Sequence, residues 1–361
     1  KNLLKQRIPT FDTFKRMTIK KGLEIFCGVT VLAICLLIIF TTNIKTLHAL
    51  RSINARFLIF SLILICLSWC FDVLRLKVLT KAVGVRLPFM YGTKAILSYT
   101  FLSNITPSSA GGEPILFYML NQKGITFGKA SAIVFLRTMI TMMFFAIGGP
   151  IIIYFHRELL SSVGLKMVFD YVAIFLAVTV MFFAYLYFAP HSARKGLDLL
   201  FNYFEKFVFF KGKSSRLKYG LLHVVDEFKS SLMEFLQGER WRLILVVFYT
   251  ALMIASQFLV APMILKGLGC DVKILSTFTV QGVLNFMLYY APTPGGSGIS
   301  EGVGYALFAP LVPSHILGVF LVIWKFLTNY VWTIIGGLLI AKSIGMKHLE
   351  DLTIERKKEL V

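Results

Sequence analysis

Apolar positions in this chain fall in long unbroken blocks instead of alternating with polar ones. The clearest blocks run from Leu23 to Thr42, Phe57 to Leu79, Phe127 to Tyr154, Met167 to Ala189, Leu243 to Leu265 and Ile316 to Ala341. Each approaches or exceeds the roughly 20 residues that cross a hydrocarbon core. The pattern predicts an all-α polytopic membrane protein with about six full transmembrane helices. Two further stretches, residues 89–123 and 274–312, each hold two apolar pieces too short to cross, separated by "NITPSSAGGEP" and "APTPGGSGISE". Non-helical backbone at membrane depth survives only where it is buried in protein or lines a wet cavity, so each reads as a re-entrant helical hairpin.

The two hairpins read as copies. Glu113 and Glu301 stand 188 residues apart, as do Arg137 and Lys325, and the glycine pairs Gly148-Gly149 and Gly336-Gly337. Landmarks at one offset argue for an internal duplication, here a first repeat over 57–155 and a second over 241–341 of a single transmembrane domain, 1–361. Three predicted spans separate the hairpins. An odd number of crossings inverts the second copy, which gives an inverted repeat with broken helices, the design common among secondary transporters.

Composition agrees with the pattern: 57% of residues are hydrophobic and 16% charged, far from a soluble domain. The net charge of +20 raises nucleic acid as a partner, but the basic residues gather at the ends of spans and none is expected. With the amino terminus inside, 28 basic residues fall on the cytoplasmic side and 7 outside. That bias predicts both termini in the cytoplasm of a multi-pass cell-membrane protein. The first block follows a basic segment and lacks a small-residue cleavage site, so it reads as a retained signal anchor. Residues 190–240 form a basic connector, either an amphipathic surface on the anionic leaflet or a solvated link.

Ionic side chains at hydrocarbon depth are costly and face a cavity or one another. The set here is Asp72, Arg75, Glu113, Arg137, Glu301 and Lys325. Arg137 and Lys325 lie near mid-span, where pairing with the hairpin glutamates would offset their desolvation, as ion pairs alone or as pairs that also line a substrate path. Asp72 and Arg75, spaced i, i+3, can pair locally, and Arg75 also suits an interfacial residue whose head reaches the inner surface. Gly111, Gly112, Gly295 and Gly296 permit the turns or simply tight helix packing. Ser108, Ser109, Ser297 or Ser300 could cap half-helix N-termini that hold an anion. Six histidines and five cysteines show no ligand spacing, so no metal is expected. No Walker or Rossmann fingerprint is present, and no cofactor is expected.

The stretch "SNITPSSAGGEPILFYMLNQKGITFGKASAIVFLRT", with "APTPGGSGISEG" downstream, resembles the lysylphosphatidylglycerol synthase/flippase transmembrane family, also grouped as UPF0104-type membrane proteins. The resemblance implies a membrane domain that moves an aminoacylated phospholipid between leaflets of a bacterial or archaeal cytoplasmic membrane. By motif match it places Glu113, Arg137 and Glu301 at the family's glutamate and arginine positions. Lys325 stands where an arginine is expected. The chain ends at Val361 without the length of the family's synthase domain. The expectation is therefore a stand-alone translocator of an anionic, aminoacylated or polyprenyl-phosphate-type lipid, not an enzyme, with a membrane lipid as partner and a homo-oligomer open. A membrane-embedded lipid-modifying enzyme and an ion or small-solute transporter remain the alternatives.

Overall fold

The computed structural model describes residues 53–106, 109, 111–155, 240–289 and 293–340, together with residues 181 and 342 and scattered positions in 227–238. The blocks at Leu23–Thr42 and Met167–Ala189, most of the basic connector and the tail lie outside the described residues. Within them the chain is all helical, without a strand. The order is α1 (Ala55–Ala82), α2 (Phe89–Ile105), α3 (Gly112–Asn121), α4 (Phe127–Phe155), α5 (Arg240–Gly267), α6 (Ile274–Tyr289), a 3-10 turn (Pro294–Gly296), α7 (Ile299–Phe308) and α8 (Ser314–Lys325). α8 continues through a π-helical turn (Phe326–Tyr330) to Ile340.

Four of these helices, α1, α4, α5 and extended α8, are long and apolar enough to cross a membrane. They fall on four of the six predicted blocks. In α1, α4 and α5 the apolar residues run all round the helix, as a lipid-embedded helix requires. Ile59 (58%), Ile244 (67%) and Leu338 (66%) are accordingly exposed, which costs nothing against hydrocarbon. The remaining four, α2, α3, α6 and α7, have 17, 10, 16 and 10 residues. At 1.5 Å per residue the longest spans about 25 Å, short of the roughly 30 Å core.

The helices recur in order. α1 and α5 begin 185 residues apart, as do α2 and α6, while α3 and α7, and α4 and α8, begin 187 apart. The terminations recur too. Gly84 (φ 87°) and Gly269 (φ 79°) end α1 and α5 in the left-handed conformation. The next amides, of Val85 and Cys270, donate to Thr80 O and Leu265 O, five residues back. Glycine supplies that conformation without a Cβ penalty.

Two compact units are each described by themselves. One gathers the described residues up to Cys66, Lys94–Ile115 and Ser256 onward; the other gathers Leu67–Thr93 and Leu116–Ala255. In the first, Phe308, Phe320 and Trp324 pack as an aromatic cluster that joins α7 to α8. Gly336 of extended α8 lies so close to α2 that a Cβ there would land on Leu97 O. Asn104 of α2 also donates to Thr333 Oγ1 at 2.6 Å. Pro262 inside α5 cannot donate to the carbonyl four residues back, that of Phe258, and Gln281 of α6 fills the gap through Nε2 at 2.7 Å. In the second unit Leu76, Leu79, Leu116, Leu120 and Ile133 form the buried core. Ser68 of α1 donates to Met253 O of α5 at 3.1 Å.

Candidate ion-binding sites in the spans

The unit of Leu67–Thr93 and Leu116–Ala255 buries an ionic cluster. Asp72 and Arg75 lie one turn apart on α1, and Arg137 comes from α4. Arg75 donates to Asp72 Oδ1 through Nε (3.1 Å) and Nη2 (2.6 Å). Arg137 donates through Nε to Oδ1 (3.2 Å) and Nη2 to Oδ2 (2.7 Å). One carboxylate thus accepts from two guanidinium forks, the strongest geometry available to such a pair. Arg75 Nη1 goes on to Thr141 Oγ1 of α4 (2.8 Å) and Thr250 Oγ1 of α5 (3.2 Å). Asp72, Arg75 and Arg137 are 8%, 2% and 6% exposed, so all three are buried.

One sequence expectation changes here. Arg75 does not reach an interface; burial among α1, α4 and α5 with two threonines makes it part of the core. Arg137 bonds Asp72, a carboxylate 65 residues away that spacing gave no reason to choose. The local Asp72–Arg75 pair is present as spacing suggested.

The other unit builds a different site from the second break. Gly295 (φ 59°) and Gly296 (φ 64°) carry the chain through positive φ, so only glycine turns there without strain. Ser297, fully buried, donates its amide to Pro294 O. Gly298 is the N-cap of α7, and its amide donates to Glu301 Oε2 at 2.7 Å. Glu301 therefore caps its own helix, so the serine caps expected there give way to a carboxylate at the positive helix end. Ser300 Oγ donates to the same Oε2 (2.6 Å), and Tyr330 OH to Oε1 (3.0 Å). Lys325 Nζ donates to Ser300 Oγ at 2.7 Å, so lysine and glutamate are joined through a hydroxyl.

The π turn makes the Tyr330 contact possible. In a regular α-helix residues five apart stand about 140° round the axis, whereas the wider i→i+5 winding brings them closer to one face. Val331 N–H bonds Phe326 O in that manner, and Lys325 and Tyr330 reach one site. No residue pattern announces the turn.

In the first break Gly111 N–H donates to Thr106 Oγ1 at 2.8 Å. A Cβ on Gly112 would land on Ser103 Oγ. Glu113, in the first turn of α3, is half-buried with Tyr99 OH 3.5 Å from Oε1. Ser109 takes φ 55°, while Ser108 lies outside the described residues.

Long apolar helices with ions buried among them, and short helices paired across glycine breaks, define a multi-pass membrane protein. Residues 25–336 match the family model described as the lysylphosphatidylglycerol synthase TM region, and the chain belongs to that family. It is similar to a UPF0104 membrane protein of Archaeoglobus fulgidus, 25% identical over 306 residues, 84% of this chain and 92% of that protein. A UPF0104 membrane protein of Pyrococcus horikoshii is 22% identical over 337 residues, 90% of this chain and 97% of its own length.

Proposed function

We propose that this protein translocates an anionic or aminoacylated lipid headgroup between leaflets, with the cluster of Asp72, Arg75 and Arg137 as its mid-membrane anion site. The observation that carries the reading is the gathering of two guanidiniums and a carboxylate in one buried cluster on helices long enough to span. A buried ion costs several kcal/mol even after relaxation, so such a cluster at this depth needs a reason, and contact with a passing phosphate supplies one. The layout behind it is six spans with two re-entrant hairpins in an inverted repeat and both termini cytoplasmic. The acyl chains stay in lipid while the headgroup passes inside.

No nucleotide fingerprint accompanies the spans, so an ion gradient or removal of product supplies direction. The Lys325–Ser300–Glu301 chain suits a proton step, since each hydrogen bond can reverse. The test is reconstitution into liposomes with a headgroup-labelled phosphatidylglycerol and an impermeant quencher added outside. Wild type is expected to move label between leaflets and Arg137→Ala to fall at least tenfold, the loss of about 1.4 kcal/mol of site interaction. Equal rates in protein-free, variant and wild-type liposomes would sink the proposal.

One observation favours a second reading, a lipid transferase or hydrolase. Lys325 beside Ser300 is an arrangement that other proteins use to activate a serine. That reading requires a new lipid product, abolished in Ser300→Ala, in mass spectra of the same liposomes.

A further inference from the structure

α1 and α5 also enclose a cavity of about 400 Å³ toward the C-terminal end of α1, within the same unit as the arginine cluster. Lys77 and Lys81 face it from α1, Arg86 from the following loop, and Arg242 from the start of α5. None of its lining residues is acidic. Two of the cations rest near aromatic rings, Lys77 5.7 Å from the centroid of Phe89 and Arg242 5.7 Å from that of Trp241. The rest of the wall is apolar, with Trp241 and Leu245 among its residues. Trp241 (49% exposed) also heads a strip of exposed α5 residues, Ile244, Val247 and Phe248. Such a strip is unsuited to water and suited to acyl chains.

We propose that this cavity binds the phosphodiester headgroup of an anionic phospholipid, whose chains lie along the exposed strip of α5. Lys77, Lys81 and Arg86, with no acid among the lining residues, match a phosphate, and the aliphatic wall and the strip beside it match a lipid better than a soluble anion. The size falls within the usual range for small-ligand sites. Lys81 is nine residues beyond Asp72 on α1, about 13 Å of helix axis, so the cavity is a second site at a different depth. With the orientation proposed above it draws on the cytoplasmic leaflet. Binding here is an equilibrium property and does not depend on translocation being the protein's activity.

The experiment uses the full chain in phosphatidylcholine nanodiscs doped with phosphatidylglycerol, with retained lipid counted by native mass spectrometry. Lys81→Gln/Arg86→Gln removes two exposed cations without touching the buried cluster. A basic residue near an anionic surface contributes about 1 kcal/mol, so phosphatidylglycerol retention should fall about tenfold or more, with an unchanged melting temperature. Lys81→Arg/Arg86→Lys should restore it. Lys123→Gln/Lys129→Gln, which neutralises two cations outside the cavity, should leave it unchanged. Equal retention in the Lys81/Arg86 variant and wild type overturns the site, and equal loss in the Lys123/Lys129 control assigns the effect to general surface charge. Free glycerol phosphate displacing the lipid at comparable concentration would overturn the lipid as occupant. A protein that binds through the cavity yet fails to move label between leaflets would refute translocation and leave this inference standing.

Discussion

The two repeats hold their ions in different ways, although their helices follow one order. In the first, the cation of the spanning helix, Arg137, meets Asp72 from α1. In the second, the equivalent cation Lys325 meets Ser300 at the hairpin. The reason lies in two positions. Counting 185 residues from Asp72 along the paired helices α1 and α5 gives Gln257, which carries no charge. Counting 188 back from Ser300 gives Gly112, where Ser103 leaves no room for a side chain. Each repeat therefore lacks the partner that the other uses. One recurring order of helices thus carries a buried charge cluster in one half and a hydrogen-bonded chain in the other.

The largest expected effect comes from Asp72→Ala, which leaves two guanidiniums buried without their carboxylate. Loss of one member of a buried ion pair costs about 3–5 kcal/mol, so thermal melts in detergent should show severe destabilisation or no folded protein. Glu301→Gln keeps most of its hydrogen-bonding atoms and should cost less than half as much. A reversed order would break the contrast between charge cluster and hydrogen-bonded chain.

Gly112→Ser imitates the second repeat and forces a side chain onto Ser103. Overpacking of this kind costs about 1–3 kcal/mol, and the paired change Ser103→Gly should recover part of it. The mirror change, Ser300→Gly, removes two bonds from a buried helical position, so it should cost about 2–3 kcal/mol, and it should disconnect Lys325 from Glu301, read as loss of any pH dependence in lipid movement.

Cation exchange gives an intermediate effect. Arg137→Lys replaces two forked bonds by one point charge and should cost roughly 1–3 kcal/mol in a chemical melt. Lys325→Arg should change stability by less, because its acceptor is a hydroxyl. The smallest contrast concerns the tyrosines. Tyr330→Phe removes a 3.0 Å bond to buried Glu301 and should cost about 1 kcal/mol, while Tyr99→Phe, at 3.5 Å from half-buried Glu113, should cost less.

Much of the architecture was legible because lipid imposes a simple code. Blocks such as Phe57 to Leu79 have few readings other than a span, and glycine breaks with short flanks imply paired short helices. The ionic residues were legible as a set, since any charge at that depth needs a reason. Their partners were not. Arg137 and Asp72 meet through the packing of α1 and α4, and no local period encodes which of several carboxylates a guanidinium will reach. Tyr330, Thr141 and Thr250 escaped notice because hydroxyls are ordinary in membrane helices. The role of Gln281 could have been read: a proline inside a span frees the carbonyl four residues earlier, and a buried amide is a natural donor for it.

The π turn after Lys325 shows how far residue counting can be trusted. Arg137 and Lys325 stand the same number of residues before their glycine pairs, and α4 runs on as regular helix through its own pair. The wider turn absorbs one residue without advancing, so everything beyond Tyr330 arrives about 100° later round the axis. Gly336 is on the far side of that delay, and it meets the backbone of α2 at Leu97. Two helices with matching text are thus set to different hours of the clock. One residue removed between Phe326 and Tyr330 would reset the second, swinging the glycine pair away from α2 while leaving Lys325 in place.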